Sequence, residues 1–176
     1  MVVSQCRYDD LSGQLGNQAL LLCSYNEERK AEMLDTLTQI GAYRVSYFSS
    51  SQEPNPLAFG FYIRGEKANQ DVYSQDAKLQ LYAGLFLIHT KLQMRNLRGL
   101  YVDVDSINNL MRPAYLQLKH DLINGFLRRV FILDEAALFG TGEAEDDLRM
   151  VYETVGGFDL LVCREGDCVP VEFPWH

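Results

Sequence analysis

The stretch from Tyr101 to Leu138, YVDVDSINNLMRPAYLQLKHDLINGFLRRVFILDEAAL, constrains the fold more than any other part of this chain. Leu100–Asp103 is a short strand candidate that ends in an aspartate. A polar loop follows and closes on Arg112-Pro113. Proline suits the first turn of a helix, where its missing N–H breaks no bond. The next residues put Tyr115, Leu118, Leu122 and Ile123 on one apolar face. They predict an amphipathic helix as far as Asn124, ended by Gly125. Val130–Leu133 is then a continuous apolar run, as expected for a central strand of a covered parallel sheet, and it stops at Asp134. Strand, helix and strand, with an acid at each strand end, predict an α/β fold whose site lies at those ends.

The flanking sequence continues the pattern. Leu57–Arg64 reads as a strand. Ser74 caps a predicted helix to Leu92 that brings Leu79, Tyr82, Leu85, Phe86 and His89 near one face. Glu143–Val155 reads as a helix with an acidic first turn, with Leu148, Val151, Tyr152 and Val155 inward and Gly156-Gly157 as its stop. Phe158–Cys163 is a further strand, and Val169–Phe173 a short edge piece. Upstream, residues 1–18 read as an irregular arm, Ala19–Tyr25 as a strand, Asn26 to Gly41 as a capped helix and Tyr43–Ser49 as a strand. The run SSSQEPNP, Ser49–Pro56, breaks the chain. The expected organisation is an α/β domain over 57–176, with a mostly parallel sheet and helices on both faces. Residues 1–56 form an arm and a strand–helix–strand extension, which either extends the sheet or makes a small second lobe.

Composition narrows the function classes. At 47% hydrophobic the chain can bury a core, yet no apolar run approaches the roughly 18–20 residues of a membrane span. The opening stretch holds Arg7, Asp9 and Asp10 and lacks an apolar segment of the secretory type, so a cytoplasmic protein is expected. A formal charge of −8 argues against a nucleic-acid surface, which must offset phosphate with Lys and Arg. The basic residues Lys91, Arg95 and Arg98, and Arg128 and Arg129, read as a solvated helix end or face. Cys23 and Cys163 lie in apolar runs and read as core thiols, while Cys163 and Cys168 flank a predicted turn. His89, His120 and His176 are scattered, so neither a metal set nor a cofactor is expected, and a disulfide is not expected in a cytosolic protein.

Several short features fall in one order. The strand FYIRGE, Phe61–Glu66, carries Arg64, and Gln75 falls nine residues after Glu66 within QDAKLQLYA. Tyr101-Val102-Asp103 is followed by Arg112-Pro113, with Arg112 nine residues beyond Asp103. Leu133-Asp134-Glu135-Ala136-Ala137-Leu138 closes the next strand, and FDLLVCREGD follows. In this order and spacing the chain from Phe59 onward resembles the catalytic domain of the serine recombinases, the resolvase and invertase family. That family opens with a strand Y-x-R-V-S whose serine attacks a DNA phosphodiester. Arginines meet the charge on the phosphate, and no metal is needed.

The departures bear on activity. The position of the nucleophilic serine holds Glu66, and the two arginine positions after the strand-end aspartate hold Glu135 and Leu138. Together these changes remove two positive charges (at 135 and 138) and add two negative ones (at 66 and 135). A phosphoryl transition state spreads negative charge and needs preorganised cations, so the resemblance implies a member that has lost its chemistry. Tyr43-Arg44-Val45-Ser46 matches R-V-S more closely, but YFSSSQEPNP after it cannot supply the long helix. The matching residues Arg64, Gln75, Asp103, Arg112 and Asp134 form either a residual anion pocket or a salt-bridged cluster that holds strand ends together. The cluster is the simpler reading, and in it Glu66 pairs with Arg64 or Arg112 where a phosphate would lie. No helix-turn-helix, basic region or zinc ribbon is visible before Trp175-His176, and Trp175 either packs on the domain or anchors a partner.

Three functions are therefore expected in descending order. The first is a catalytically inactive resolvase-like domain, working with a protein partner or as a homo-oligomer and not binding nucleic acid itself. The second is an accessory component of DNA recombination or transposition that reaches DNA only through a partner. The third is a metal-dependent hydrolase built on Asp103, Asp134, Glu135 and Glu66.

Overall fold

A computed structural model describes residues 42–48, 53–66 and 75–173. The expected arm, the Ala19–Tyr25 strand, the Asn26–Gly41 helix, Ser74, Trp175, Cys6 and Cys23 lie outside the described residues. Among the described residues, one sheet contains β1 (Tyr43–Tyr47), β2 (Phe59–Gly65), β3 (Leu97–Val104), β4 (Arg129–Ile132), β5 (Asp159–Arg164) and β6 (Asp167–Val171). The helices α1 (Gln75–Lys91), α2 (Pro113–Ile123) and α3 (Gly142–Val155) connect β2 to β3, β3 to β4 and β4 to β5.

The strand order is β1-β3-β2-β4-β5-β6. The four inner strands run parallel, and β1 and β6 close the two edges as antiparallel partners of β3 and β5. Composition explains the placement. β2 and β3 are buried at every position, which only an interior strand can be. β1 alternates toward exposure, as an edge strand must. β6 carries Pro170, which has no N–H to give a second neighbour.

Alternate residues of β2 enter different parts of the core. Phe59, Phe61 and Ile63 pack with Ala77, Leu81, Leu85 and Ile88 of α1. Tyr62 belongs to a second cluster with Tyr115, Leu118 and Leu122 of α2 and Leu148 and Val151 of α3. No helix among the described residues is long and apolar enough to cross a membrane.

Several sequence expectations change here. The buried face of α1 runs through Ala77, Leu81, Gly84, Leu85 and Ile88, whereas Phe86 and His89 are exposed. The reason is Gly84. A Cβ there would lie 2.0 Å from Cζ of Phe61, so the helix touches the sheet at its one residue without a side chain and turns Phe86 outward. Ile123, expected inside, is exposed, and Asp121 takes the buried position on α2. Arg98 is no solvated surface residue. It is buried, its guanidinium donates to the carbonyls of Phe126 and Glu53, and it lies 5.3 Å from the Phe126 ring centre. Arg129 likewise donates to the Leu57 carbonyl.

Tyr101 lies flat over its neighbours. A Cβ on Gly60 would approach its ring to 2.8 Å, and one on Gly99 would approach its hydroxyl to 2.7 Å.

Because Phe61 fills the space over Gly84, Gly84→Ala should destabilise the fold by about 1–3 kcal/mol in urea denaturation. Pairing it with Phe61→Leu should recover part of that loss. Equal stability of the single variant and the parent would show that the helix moves off the sheet at little cost.

Candidate functional site

The ends of β2, β3 and β4 come together at one end of the sheet, where Arg64 of β2 reaches the segments after β3 and β4. Asp103, near the end of β3, is fully buried. Its Oδ1 accepts the backbone N–H of Ala114 at 2.9 Å, and its Oδ2 accepts that of Tyr115 at 2.8 Å. These are orphan donors of the first turn of α2, since Pro113 before them has none to offer. Asp103 is therefore a helix cap supplied from a neighbouring strand, a negative group at the positive end of the helix. Oδ2 also accepts the Tyr62 hydroxyl at 2.9 Å, which ties β2 to β3 and α2.

Arg112, the residue before Pro113, is also fully buried. Its Nε donates to the Tyr62 hydroxyl at 3.0 Å, and one terminal nitrogen donates to the carbonyls of Ile107 and Asn109 at 3.0 and 2.8 Å. The side chain thus folds back and fastens its own loop. Its Nε stands 3.9 Å from Asp103 Oδ2, and its guanidinium carbon lies 4.5 Å from the centre of the Tyr115 ring. The other terminal nitrogen meets no acceptor among the described residues, and the ring face of Tyr115 is the compensation nearest to it.

Arg64 is the register partner of Asp103 across the β2–β3 pairing, yet it turns elsewhere. Nε and one terminal nitrogen donate to the Ala136 carbonyl after β4, and the other donates to the Asp105 carbonyl after β3 at 3.0 Å. One guanidinium thus fastens the ends of three strands. Glu66 completes it, with Oε1 2.7 Å from the same terminal nitrogen, and this carboxylate is 72% exposed while the Arg64 side chain is 7% exposed. The expected Glu66–Arg64 pair is therefore present, and Arg112 takes no part in it.

The other predicted positions are apart from this cluster. Asp134 accepts the N–H of Ala136 and caps a short turn over Glu135–Ala137. Glu135 pairs with Arg164 on the surface, and Leu138 is buried in the core cluster beneath α2 and α3. Gln75 opens α1, and its side chain lies outside the described residues. Ser46 is buried in β1 and accepts Nε of Arg44 at 3.0 Å. Among the described residues no three His, Cys, Asp or Glu side chains are grouped to hold a metal ion.

Sequence reasoning missed the tyrosines. Tyr62 and Tyr101 lie in apolar runs and carry no role in the sequence pattern, but a hydroxyl inside a fully buried strand needs a partner, and that is the available signal. Tyr101 donates to Oδ2 of Asp121 at 2.6 Å, Tyr47 of β1 donates to the same oxygen at 2.8 Å, and Gln117 donates to Oδ1 at 3.0 Å. Tyr115 donates to Asp147 of α3, which also pairs with Lys119 at 2.8 Å. Burial first, and then Asp121, push the Tyr47 hydroxyl up to about 12. Burial also raises Tyr62, Tyr101 and Tyr115 well above the ordinary phenol range, each with a neighbouring carboxylate adding to it. At neutral pH all four are neutral donors.

Burial likewise pushes the Asp103 carboxyl above the usual carboxylate range, although the Ala114 and Tyr115 N–H groups, the Tyr62 hydroxyl and the Arg112 guanidinium pull the other way. Chemically, the cluster offers two guanidiniums already bound to carbonyl, hydroxyl and carboxylate oxygens. No family model matches the chain, and no curated protein or solved structure matches it either.

Two outcomes follow for stability. Arg112→Lys loses the planar fork and should cost about 1–3 kcal/mol, whereas Glu66→Gln, at an exposed pair, should cost under about 1 kcal/mol. Urea midpoints of both variants check this, and a reversed order would deny the cluster its structural role. The second outcome depends on pH. A carboxyl whose folded pKa is raised favours the fold most when protonated, and that contribution is lost as pH rises through the folded value. The penalty of Asp103→Asn should therefore be largest below about pH 4, the unfolded carboxyl range, and shrink toward neutrality. A penalty that grows with pH would mean that Arg112 and the N–H donors outweigh burial.

Proposed function

We propose that this chain is a resolvase-like α/β domain that has lost serine recombinase chemistry and acts as a protein-interaction, scaffold or regulatory subunit. The observation that carries the reading is the state of Arg64. Its guanidinium is bound by the Ala136 and Asp105 carbonyls and by Glu66, the residue standing where the resemblance places a nucleophilic serine. A phosphate there would have to displace a carboxylate and compete with carbonyls that hold three strand ends.

The finer fold reading rests on the two core clusters. With crossovers of the usual right hand, α1 would lie on one face of the parallel strands and α2 and α3 on the other, because β2–β3 and β3–β4 progress in opposite directions across the sheet. The division of β2 residues between the clusters supports this arrangement. On it, the crevice between the ends of β2 and β4 is where a doubly wound sheet would receive a ligand, and Arg64 spans that crevice to Ala136.

Incubation with supercoiled plasmid tests the loss of chemistry. The chain should give no nicking and no covalent protein–DNA adduct, and Glu66→Ser should not restore either, since Glu135 and Leu138 still stand at the arginine positions. Cleavage by the parent chain that Glu66→Ala abolishes would overturn the reading. Sedimentation at micromolar concentration, with purification from the native host, tests the interaction role. Self-association or a stoichiometric protein partner is expected, and a lone monomer would count against it. Binding of labelled duplex by the isolated chain, weakening steeply with salt, would instead favour a direct role on DNA.

A further inference from the structure

The β5–β6 hairpin turns through Glu165 and Gly166, both with positive φ (53° and 77°), the signature of a two-residue type I′ turn. Its register sets Arg164 against Asp167, Cys163 against Cys168, Val162 against Val169 and Leu161 against Pro170. In such a hairpin the pair next to the turn is hydrogen-bonded, and pairs alternate from there. Cys163 and Cys168 thus occupy a non-hydrogen-bonded pair, where side chains stand closest.

Two details agree with that parity. Pro170, two residues beyond Cys168, has no N–H and needs a position whose nitrogen faces away from β5. The N–H of Cys168 donates to Oδ1 of its own neighbour Asp167 at 2.9 Å. Directly opposed residues of this kind have Cα atoms about 4.5 Å apart, within the roughly 4.4–6.8 Å that a disulfide spans. Both thiols are free, both are half-buried, and both pack against the core cluster that contains α1.

We infer that Cys163 and Cys168 form a redox-active dithiol, which closes to an intrachain disulfide across the edge hairpin on meeting a low-molecular-weight disulfide. The thiolate of one cysteine attacks the small disulfide, forming a mixed disulfide and releasing one small thiol. The second cysteine then attacks the protein-side sulfur and releases the other small thiol. The protein dithiol loses two electrons and two protons, and the small disulfide takes them up as two thiols. Burial pushes the Cys168 thiol up to about 11, with the Cys163 sulfur and Asp167 adding to it, so Cys168 is a weak nucleophile on its own. Its fixed place opposite Cys163 supplies the effective concentration that its ionisation lacks. The product would staple the strand that ends the sheet, at an edge where strained or accessible disulfides are the reducible ones.

The test is equilibration of the native full-length chain in glutathione redox buffers, followed by acid quench, alkylation and tryptic digestion. Trypsin cuts after Arg164 and separates the two cysteines, so the disulfide should appear as Met150–Arg164 linked to Glu165–His176. The linked pair should form in the folded chain at an equilibrium constant at least about tenfold above that of the chain in guanidinium. Cys168→Ser should instead accumulate a glutathione adduct on Cys163, which the parent resolves. The proposal is overturned if the native parent yields only glutathione adducts or free thiols, if Cys163 links to Cys6 or Cys23, or if folding gives the 163–168 bond no advantage.

Discussion

A single buried carboxylate sets the end of this sheet. Asp103 closes the first turn of α2 from outside the helix and holds the Tyr62 hydroxyl, which in turn receives Arg112. Burying an acid costs free energy unless its oxygens are fully engaged, and here three donors and a nearby guanidinium engage them. The loop between β3 and α2 takes its course from this interaction. Asn109 and Ile107 turn their carbonyls to Arg112 because Arg112 is pinned beneath them by Tyr62 and Tyr115.

This gives the Asp103 to Arg112-Pro113 spacing a physical meaning apart from catalysis. The aspartate must reach the N–H groups just after the proline, and the arginine must fold back over the loop that separates them. A helix entry built this way gives each of these residues a structural role. The same argument applies at β2. Arg64 fastens the segments after β3 and β4, so it would persist whether or not a phosphate was ever its partner.

How much of this could be read in advance depended on the kind of signal. The inner strands were legible because continuous apolar runs such as Val130–Leu133 admit few alternatives, and α2 was legible through Pro113 and its apolar spacing. The face of α1 was not. Its apolar residues surround much of the helix, and only the contact of Gly84 with Phe61 decides which way it points. Arg98 was misjudged because charge alone suggests solvent, whereas its guanidinium serves the carbonyls of Phe126 and Glu53, both far from it in sequence. The pairing of Glu66 with Arg64 was legible, but the tyrosine hydroxyls that tie Asp103 and Arg112 together were not, since they look like ordinary core in a one-dimensional pattern. The strand and helix expected before Tyr43 lie outside the described residues.

The flat ring of Tyr101 has a consequence for how such a sequence can change over time. It fills the room that side chains at 60 and 99 would need, and its hydroxyl reaches across to Asp121 on α2. These four positions are therefore physically coupled. A larger residue at either glycine is accessible only after the ring has gone, and once the ring goes the acid on α2 loses a donor. Tolerated sequences should move through this region in blocks, with two glycines, a tyrosine and an aspartate kept or replaced together.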